Sequence, residues 1–416
     1  MRNTILAFAS PALLVFYFLS AIAIWLGLSS LRGGLRFARY LQAELAEKYP
    51  EFTPFVTVFV PCRGTDDGLR ENLLAIFAQD YPAFEVIVVS DRADDPALAV
   101  VAEAHRLCES SPPVRVVIAG EATDSGQKVH NLRAAISEAD PQSAVFAFVD
   151  TDARPSSLWL RSLVAPLSDE SIGAATGYRW FVARSGFAAH LRSVWNASIA
   201  SALGAQRDKN FCWGGSTAIR RETFERLKVS EHWRGTVSDD FTLTRVLHDA
   251  GLPIKFVPQC LTPSFERCSF HELIEFTTRQ LKITRAYAPH LWKAVLTGSV
   301  LFILGFFGGI ALVVARAMMG LSFVTPLILL LVIFALGAMK SYLRLRAVRL
   351  VIPDRGLSSG TTTMAHLALW PLASLLVLAN ALAAISRRIT WRGITYELKS
   401  PTETVIIRRE LQNRER

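Results

Sequence analysis

The chain has 416 residues, 51% hydrophobic and 19% charged, with a mean hydropathy of +0.29 and a net charge of +9. Soluble domains carry about a quarter charged residues, so this balance excludes a disordered protein and argues against a wholly soluble one. The acid- and base-rich middle of the chain argues equally against a polytopic transporter. Positive charge clusters beside apolar stretches, which selects anionic lipid rather than nucleic acid as the partner of the basic surface.

Ile5 to Leu31 contains no charged residue, and crossing a bilayer takes about 20 apolar residues. The apolar part of a cleaved leader is only about 7–15 residues long, so residues 1–31 are expected to be a retained anchor. Arg32, Arg36, Arg39 and Lys48 follow it while only Arg2 precedes it. The positive-inside rule then places the next domain, residues 32–264, in the cytoplasm.

Within that domain apolar strands alternate with helical patterns. Phe55–Val60, Phe84–Val89, Val114–Ile118 and Ala144–Val149 read as strands, and Leu69–Gln79, Pro96–Cys108 and Lys128–Ser137 as helices. Strands apolar on both faces and separated by helices predict an α/β domain with a mainly parallel sheet. Residues 265–293 mix Phe, Leu, Ile and Tyr with His271, Arg279, Lys282 and Arg285. They read as an amphipathic helix lying in the membrane interface, as one packed on the domain, or as cations facing a diphosphate.

Residues 294–386 hold two or three membrane spans: Ala294–Ala315, Ala317–Met339 and, with Pro371 inside it, Met364–Ile385. Lys340, Arg344, Arg346, Arg349 and Arg355 form a basic loop before the last of these. Three spans would leave the C-terminus outside, yet Arg387, Arg388 and Arg392 open a basic tail, 387–416, that argues for inside. Five cysteines with no CxxC pair fit neither a disulfide framework nor a zinc site.

Ligands of such sheets bind beyond the carboxyl ends of the strands. Those ends carry Pro61-Cys-Arg63-Gly, Ser90-Asp91 and Asp150-Thr-Asp152. No strand is followed by GxGxxG, and Gly120 to Lys128 has the wrong spacing for a P-loop. Asp150 and Asp152 would repel each other without a cation between them, so a hard divalent ion suits them; alternatively Asp152 caps a helix after Pro155. Ser238-Asp239-Asp240 reads either as a helix cap with two dipole-favoured acids or as the source of a general base.

Taken in order, Pro61-Cys-Arg-Gly, Gln79-Asp-Tyr-Pro82, Val88-Val-Ser-Asp91, Lys128-Val-His-Asn-Leu132, Asp150-Thr-Asp152, Trp213-Gly-Gly-Ser216, Ser238-Asp-Asp240 and Arg279-Gln-Leu-Lys-Ile283 resemble the motifs of membrane-bound family 2 glycosyltransferases. Within that group the chain is most similar to ceramide glucosyltransferases and bacterial, hopanoid-type lipid glycosyltransferases, on its single N-terminal anchor, few C-terminal spans and the tail Ile389-Thr-Trp-Arg-Gly-Ile-Thr-Tyr396. The resemblance implies a GT-A fold and an integral protein of a bacterial inner membrane. It implies a UDP-sugar donor, Mg²⁺ or Mn²⁺ as cofactor, and a membrane-lipid acceptor such as ceramide, with glucose as the sugar moved and the anomeric carbon inverted.

Asp91 matches the aspartate that reads the base, with Pro61 and Arg63 in the same pocket. Lys128 and Asp150 match positions at the phosphates, Asp152 the metal ligand and Asp240 the catalytic base. Gly215, Ser216, Asp239, Arg279 and Lys282 match the acceptor and diphosphate region. The family's (Q/R)xxRW motif reads Arg279-Gln-Leu-Lys282-Ile283 here. Lysine loses the bidentate fork and isoleucine loses the ring. That argues against the alternative of a processive polysaccharide synthase and motivates a second one, a non-catalytic membrane scaffold.

Overall fold

The computed structural model describes residues 11–265 and 267–410. Residues 1–10, 266 and 411–416, parts of the expected anchor, interfacial segment and tail, lie outside them. The chain begins with a long helix, α1 (Pro11–Ala46), and then forms β1 (Val56–Pro61), α2 (Leu69–Phe77), β2 (Phe84–Ser90), α3 (Pro96–Leu107), β3 (Val114–Ile118), α4 (Gln127–Ile136) and β4 (Val145–Val149). After α5 (Trp159–Val164) come β5 (Ala174–Phe181), α6 (Phe187–Ala200), β6 (Ser216–Arg220), α7 (Arg221–Arg226), α8 (Val229–His232), α9 (Asp239–Asp249) and β7 (Ile254–Ser264). The seven strands form one sheet in the order β3-β2-β1-β4-β6-β5-β7, in which only β6 runs antiparallel to its neighbours. This is the mainly parallel GT-A-type sheet that the sequence predicts.

Side chains of a strand alternate between faces, and the core divides accordingly. Val58, Val60, Val86, Val88, Ala147 and Val149 pack on one face with residues of α2, α3 and α5. Phe59, Ile87, Val89, Phe146 and Phe148 pack on the other with residues of α4 and α9. Strands buried on both faces leave only their ends for chemistry, and the parallel direction of β1, β2 and β4 brings three of those ends to one edge.

Five further helices follow among the described residues: α10 (Phe270–Tyr287), α11 (Pro289–Met318), α12 (Val324–Val348) and the pair α13 (Gly360–Ala368) and α14 (Trp370–Ala383). Helices α1, α11 and α12 are long and apolar enough to cross a membrane, and α13 and α14 meet at a 58° bend. The membrane helices run into the domain core. Phe37 and Leu41 of α1 and Leu345 and Val348 of α12 belong to the same cluster as the sheet residues. Tyr40 donates its hydroxyl to the Phe256 carbonyl (2.6 Å), and Lys255 forms a buried ion pair with Glu44.

The chain then returns to the domain. β8 (Arg388–Trp391), β9 (Ile394–Ser400) and β10 (Glu403–Arg409) form a three-stranded antiparallel sheet. Sequence reading leaves this region as a basic tail. In the structure Ile389, Ile394, Tyr396 and Leu398 share a buried cluster with Val237 of the domain and Ile283 of α10.

Both α10 and this sheet pack against the domain. In the region expected to hold two or three spans, α11 and α12 are each long and apolar enough to cross, and the bent pair α13–α14 has the shape either of a broken span or of a re-entrant loop.

Candidate active site

The loops after β1 and β2 are tied together. Asp95, the N-cap of α3, accepts from Ala97 N (2.9 Å), Gly64 N (3.0 Å) and Ser90 Oγ (2.8 Å). This places Arg63 beside Asp91, with Nη1 3.2 Å from Oδ2, next to Pro61 at the end of β1. The neighbouring Cys62 thiol is held up at about 12, by burial first and then by Asp95 and Asp91.

At the end of β4 the acids meet two cations. Lys128, in the first turn of α4, lies 2.8 Å from Asp150 Oδ1 and 3.3 Å from Asp239 Oδ2. Arg179 of β5 forks onto Asp152, with Nη1 2.9 Å from Oδ2 and Nη2 3.1 Å from Oδ1, and reaches Asp150 Oδ2 at 3.7 Å. Burial pulls the Lys128 ammonium down, but Asp150 and Asp239 outweigh it and the net displacement is upward. Burial drives the Asp239 carboxyl above the ordinary range, against the pull of Lys128. The helix after Asp152 starts only at Trp159 and has no side-chain cap, so the capping reading of Asp152 is excluded.

Ser238 does cap α9, accepting from Phe241 N, and Asp239 and Asp240 occupy its first turn. The cap and the acid pair are thus one device. Asp240 Oδ1 accepts from Ser238 Oγ and from Phe241 N (2.7 Å), which leaves Oδ2 as the oxygen available to a substrate. Asp240 lies within electrostatic reach of Lys128, Tyr178 and Tyr287.

The remaining expected residues divide. Gly215 packs against the ring of Trp213, and Ser216 is fully buried, accepting from Trp159 Nε1 (2.8 Å). The glycine that borders the acids is Gly214, where a Cβ would collide with Asp239 and Lys128. Arg279 sits near Asp152 and Arg179, with Trp391 5.3 Å from its guanidinium, and burial brings it down to about 10, still charged at neutral pH. Lys282 turns away and donates to the Arg388 carbonyl (2.7 Å). Ile283 lies under the C-terminal sheet.

Residues from that sheet also border the site. Arg392 forks onto Asp66 (2.6 and 2.5 Å) in the loop after β1. The Tyr396 hydroxyl accepts from Gln127 N (3.2 Å), and Arg409 reaches Gln127 Oε1 (3.1 Å) and the Ala122 carbonyl. Gly235, at φ 72°, lies against the Thr402 carbonyl. Neither these contacts nor Arg179 is part of the sequence-derived site.

Among the described residues no group of three or more His, Cys, Asp or Glu is arranged to hold a metal. The donor set nevertheless fits a hard ion that keeps most of its waters, because such an ion needs only one or two protein carboxylates plus substrate phosphate oxygens. Four acids (150, 152, 239, 240) face three cations (128, 179, 279) there.

Residues 15–404 match glycosyl transferase family 21. Two ceramide glucosyltransferases of Caenorhabditis elegans are 21% and 22% identical over 249 and 248 residues, each match covering 57% of this chain. The chain spans about half the length of these curated relatives, 52% and 51%. Among solved structures, a mannosyltransferase from Pyrobaculum calidifontis in complex with GDP-Man and Mn²⁺ is 21% identical with a TM-score of 0.47, covering 88% of this chain and 99% of that one. A glucosyl-3-phosphoglycerate synthase from Mycobacterium tuberculosis in complex with Mn²⁺ and UDP-glucose is 16% identical with a TM-score of 0.35, covering 59% of this chain and 82% of that one.

Proposed function

This chain belongs to glycosyl transferase family 21, and we propose that it moves a hexose, with glucose the first candidate, from a UDP-sugar to a hydroxyl of a membrane lipid such as ceramide. The family makes it a glycosyltransferase. The observation that carries the finer reading is the acid–cation cluster at the end of β4 in a domain whose core is continuous with apolar helices.

The paired Arg63 and Asp91 offer donors and an acceptor to the imide edge of a uracil. Lys128, Arg179 and Arg279 line the path of a diphosphate. An Mg²⁺ or Mn²⁺ ion at Asp152, with Asp150 beside it, would supply Lewis-acid neutralisation of the leaving group. Asp240 accepts the proton of the acceptor hydroxyl through Oδ2 as the hydroxyl oxygen attacks the anomeric carbon, and a single displacement inverts that carbon. Asp239 stays buried against Lys128 and holds that cation in place. The membrane helices deliver the lipid hydroxyl to the rim of the site. We place the protein in a bacterial inner membrane with the catalytic domain in the cytoplasm, the side on which Arg32, Arg36 and Arg39 lie.

A processive polymerase is disfavoured, because position 283 is filled by an isoleucine packed under the C-terminal sheet. Purified protein incubated with ceramide and radiolabelled UDP-glucose, UDP-galactose or GDP-mannose tests the reading. One labelled glycolipid of inverted configuration is expected from a UDP-sugar, whereas long polymer or no label from any donor refutes it.

A further inference from the structure

Lys340 and Arg344 stand one turn apart on α12, just before Leu345 and Val348, which belong to the domain core. With α12 as a membrane span, they lie at the depth of the lipid headgroups on the domain's side. Gly337, Lys340 and Arg344 share one face of the helix by their spacing, whereas Arg346 is exposed on the opposite face.

A lysine near the end of a span ordinarily extends to water. Lys340 instead runs along α1, with its Cγ 3.9 Å from where a Cβ at Gly34 would stand. Arg344 is half-buried, and its Nε is enclosed with no hydrogen-bond partner among the described residues. The charge that faces Lys340 is Arg344, and no carboxylate among the described residues lies within electrostatic reach of either. The other elements packed here add no acid. Trp370 of α14 lies against the Gly337 backbone, its Nε1 likewise enclosed and unpartnered, and the buried His366 of α13 lies within electrostatic reach of Arg344.

Two like charges partly removed from water, with no acid beside them, cost free energy that an anion recovers. Ammonium, guanidinium and indole N–H groups donate and cannot accept, so the fitting partner is negative and rich in acceptors. At headgroup depth that partner is the phosphodiester of a phospholipid. Trp370 continues toward the apolar layer through Phe302, Phe306 and Phe334, with ring centroids 5.3, 5.8 and 6.0 Å from its own, a surface suited to an acyl chain.

We propose that Lys340, Arg344 and Trp370 form a fixed site for one anionic phospholipid, seated between α1, α12 and the bent pair. The site lies apart from the acid–cation cluster and stands whether or not the donor reading does.

The test titrates full-length protein in detergent with phosphatidylglycerol, phosphatidylcholine or inorganic phosphate. Native mass spectrometry counts the lipid retained, and thermal melting is read in parallel. Phosphatidylglycerol is expected to add one firmly held molecule and to raise the melting temperature; phosphatidylcholine should be held more weakly, and inorganic phosphate, which has no chains, should leave the melting temperature unchanged. A cation beside an anionic membrane surface contributes about fivefold in affinity, or about 1 kcal/mol. Lys340→Gln and Arg344→Gln should each weaken retention of phosphatidylglycerol by about fivefold, and the double variant by about 25-fold. Arg346→Gln, on the opposite face, should retain it as the wild type does. The double variant should melt no lower than the wild type in lipid-free detergent, because it loses two uncompensated charges. Equal retention of the two lipids by the wild type overturns the inference and needs no variant. So does a loss in Arg346→Gln as large as in Arg344→Gln, which would mean diffuse attraction without a site, or a folded double variant that still holds phosphatidylglycerol. A melting shift reproduced by inorganic phosphate would replace the lipid with a free anion.

Discussion

Tyr396→Phe isolates one contact between the C-terminal sheet and the donor site. The first N–H groups of a helix have no partner within it, and α4 begins after Gly126, which offers no side chain as a cap. The Tyr396 hydroxyl fills that role from 269 residues away by accepting from Gln127 N. Tyr396 is 1% exposed, so removing its oxygen leaves a buried N–H unpaired, at about 1–3 kcal/mol. Loss of a side-chain N-cap costs about 0.5–2 kcal/mol, and the overlap of the two ranges is about 1–2 kcal/mol. In a domain of this size that corresponds to roughly 2–8 °C in melting temperature. Lys128 is the next residue, so a loosened first turn also frees its ammonium from Asp150, and UDP affinity in the presence of Mn²⁺ should fall by up to about tenfold, which is 1.4 kcal/mol. Thermal melting in detergent, with and without Mn²⁺ and UDP, reads both effects. Tyr396→Ala also removes the ring and should cost more, about 3–5 kcal/mol. If Tyr396→Phe melts with the wild type and binds UDP equally well, the sheet does not cap α4 and its link to the donor site is refuted.

Asp240→Asn should lower turnover by about 10²–10⁴-fold, the usual contribution of a general base, while UDP binding by calorimetry stays unchanged; equal turnover in mutant and wild type would remove Asp240 from the chemistry. Because the fold raises the Asp239 pKa, to about 6, the fold favours its protonated form. That stabilisation is complete below the ordinary aspartate value near 4 and is lost as pH rises through the raised value. Asp239→Asn should therefore flatten the fall in stability between these limits, and an unchanged pH slope in chemical denaturation would count against the assignment. Ile283→Trp, which restores the ring of the family motif, overpacks a closed cluster and should cost about 1–3 kcal/mol without raising transfer; a more active variant of unchanged melting temperature would show that position 283 faces the acceptor. If α11 and α12 each cross the membrane, cysteines introduced as Gly320→Cys, between α11 and α12, and as Glu403→Cys, in β10, should react with an impermeant maleimide from opposite faces of sealed vesicles; labelling from one face would refute that topology.

The α/β domain was legible because its central strands β1, β2 and β4 are buried on both faces and its helices repeat at helical spacing, so strand ends such as Asp91 and Asp150 could be named without coordinates. Ser238 was legible as a cap, and the capping and acidic readings proved to describe the same turn. Arg179 was not anticipated. An arginine in the apolar run Ala174–Phe181 gives a signal, since a charge buried in a strand requires a partner, but no sequence pattern says that the partner is Asp152. The C-terminal sheet carried a clearer signal. Ile389 and Trp391, then Ile394, Tyr396 and Leu398, alternate with polar residues on either side of Gly393, which is the period of a hairpin. High basic content hid it, and what its apolar face covers, Val237 and Ile283, is supplied by segments about a hundred or more residues away.

These two omissions bear on one departure from the family pattern. Isoleucine at 283 reads in sequence as the loss of the ring that ends the family motif. In the structure Ile283 anchors the C-terminal sheet, and that sheet carries Trp391 to within 5.3 Å of the Arg279 guanidinium. Lys282, which has no fork to offer a phosphate, instead fastens β8 through the Arg388 carbonyl, and the forked cation at the acid pair is Arg179. The aromatic ring and the bidentate cation are therefore both present, each supplied from another part of the chain. A motif compares residues at fixed spacing, whereas the site is assembled across strands, so a substitution at Lys282 or Ile283 cannot be weighed until the residues that close around it are known.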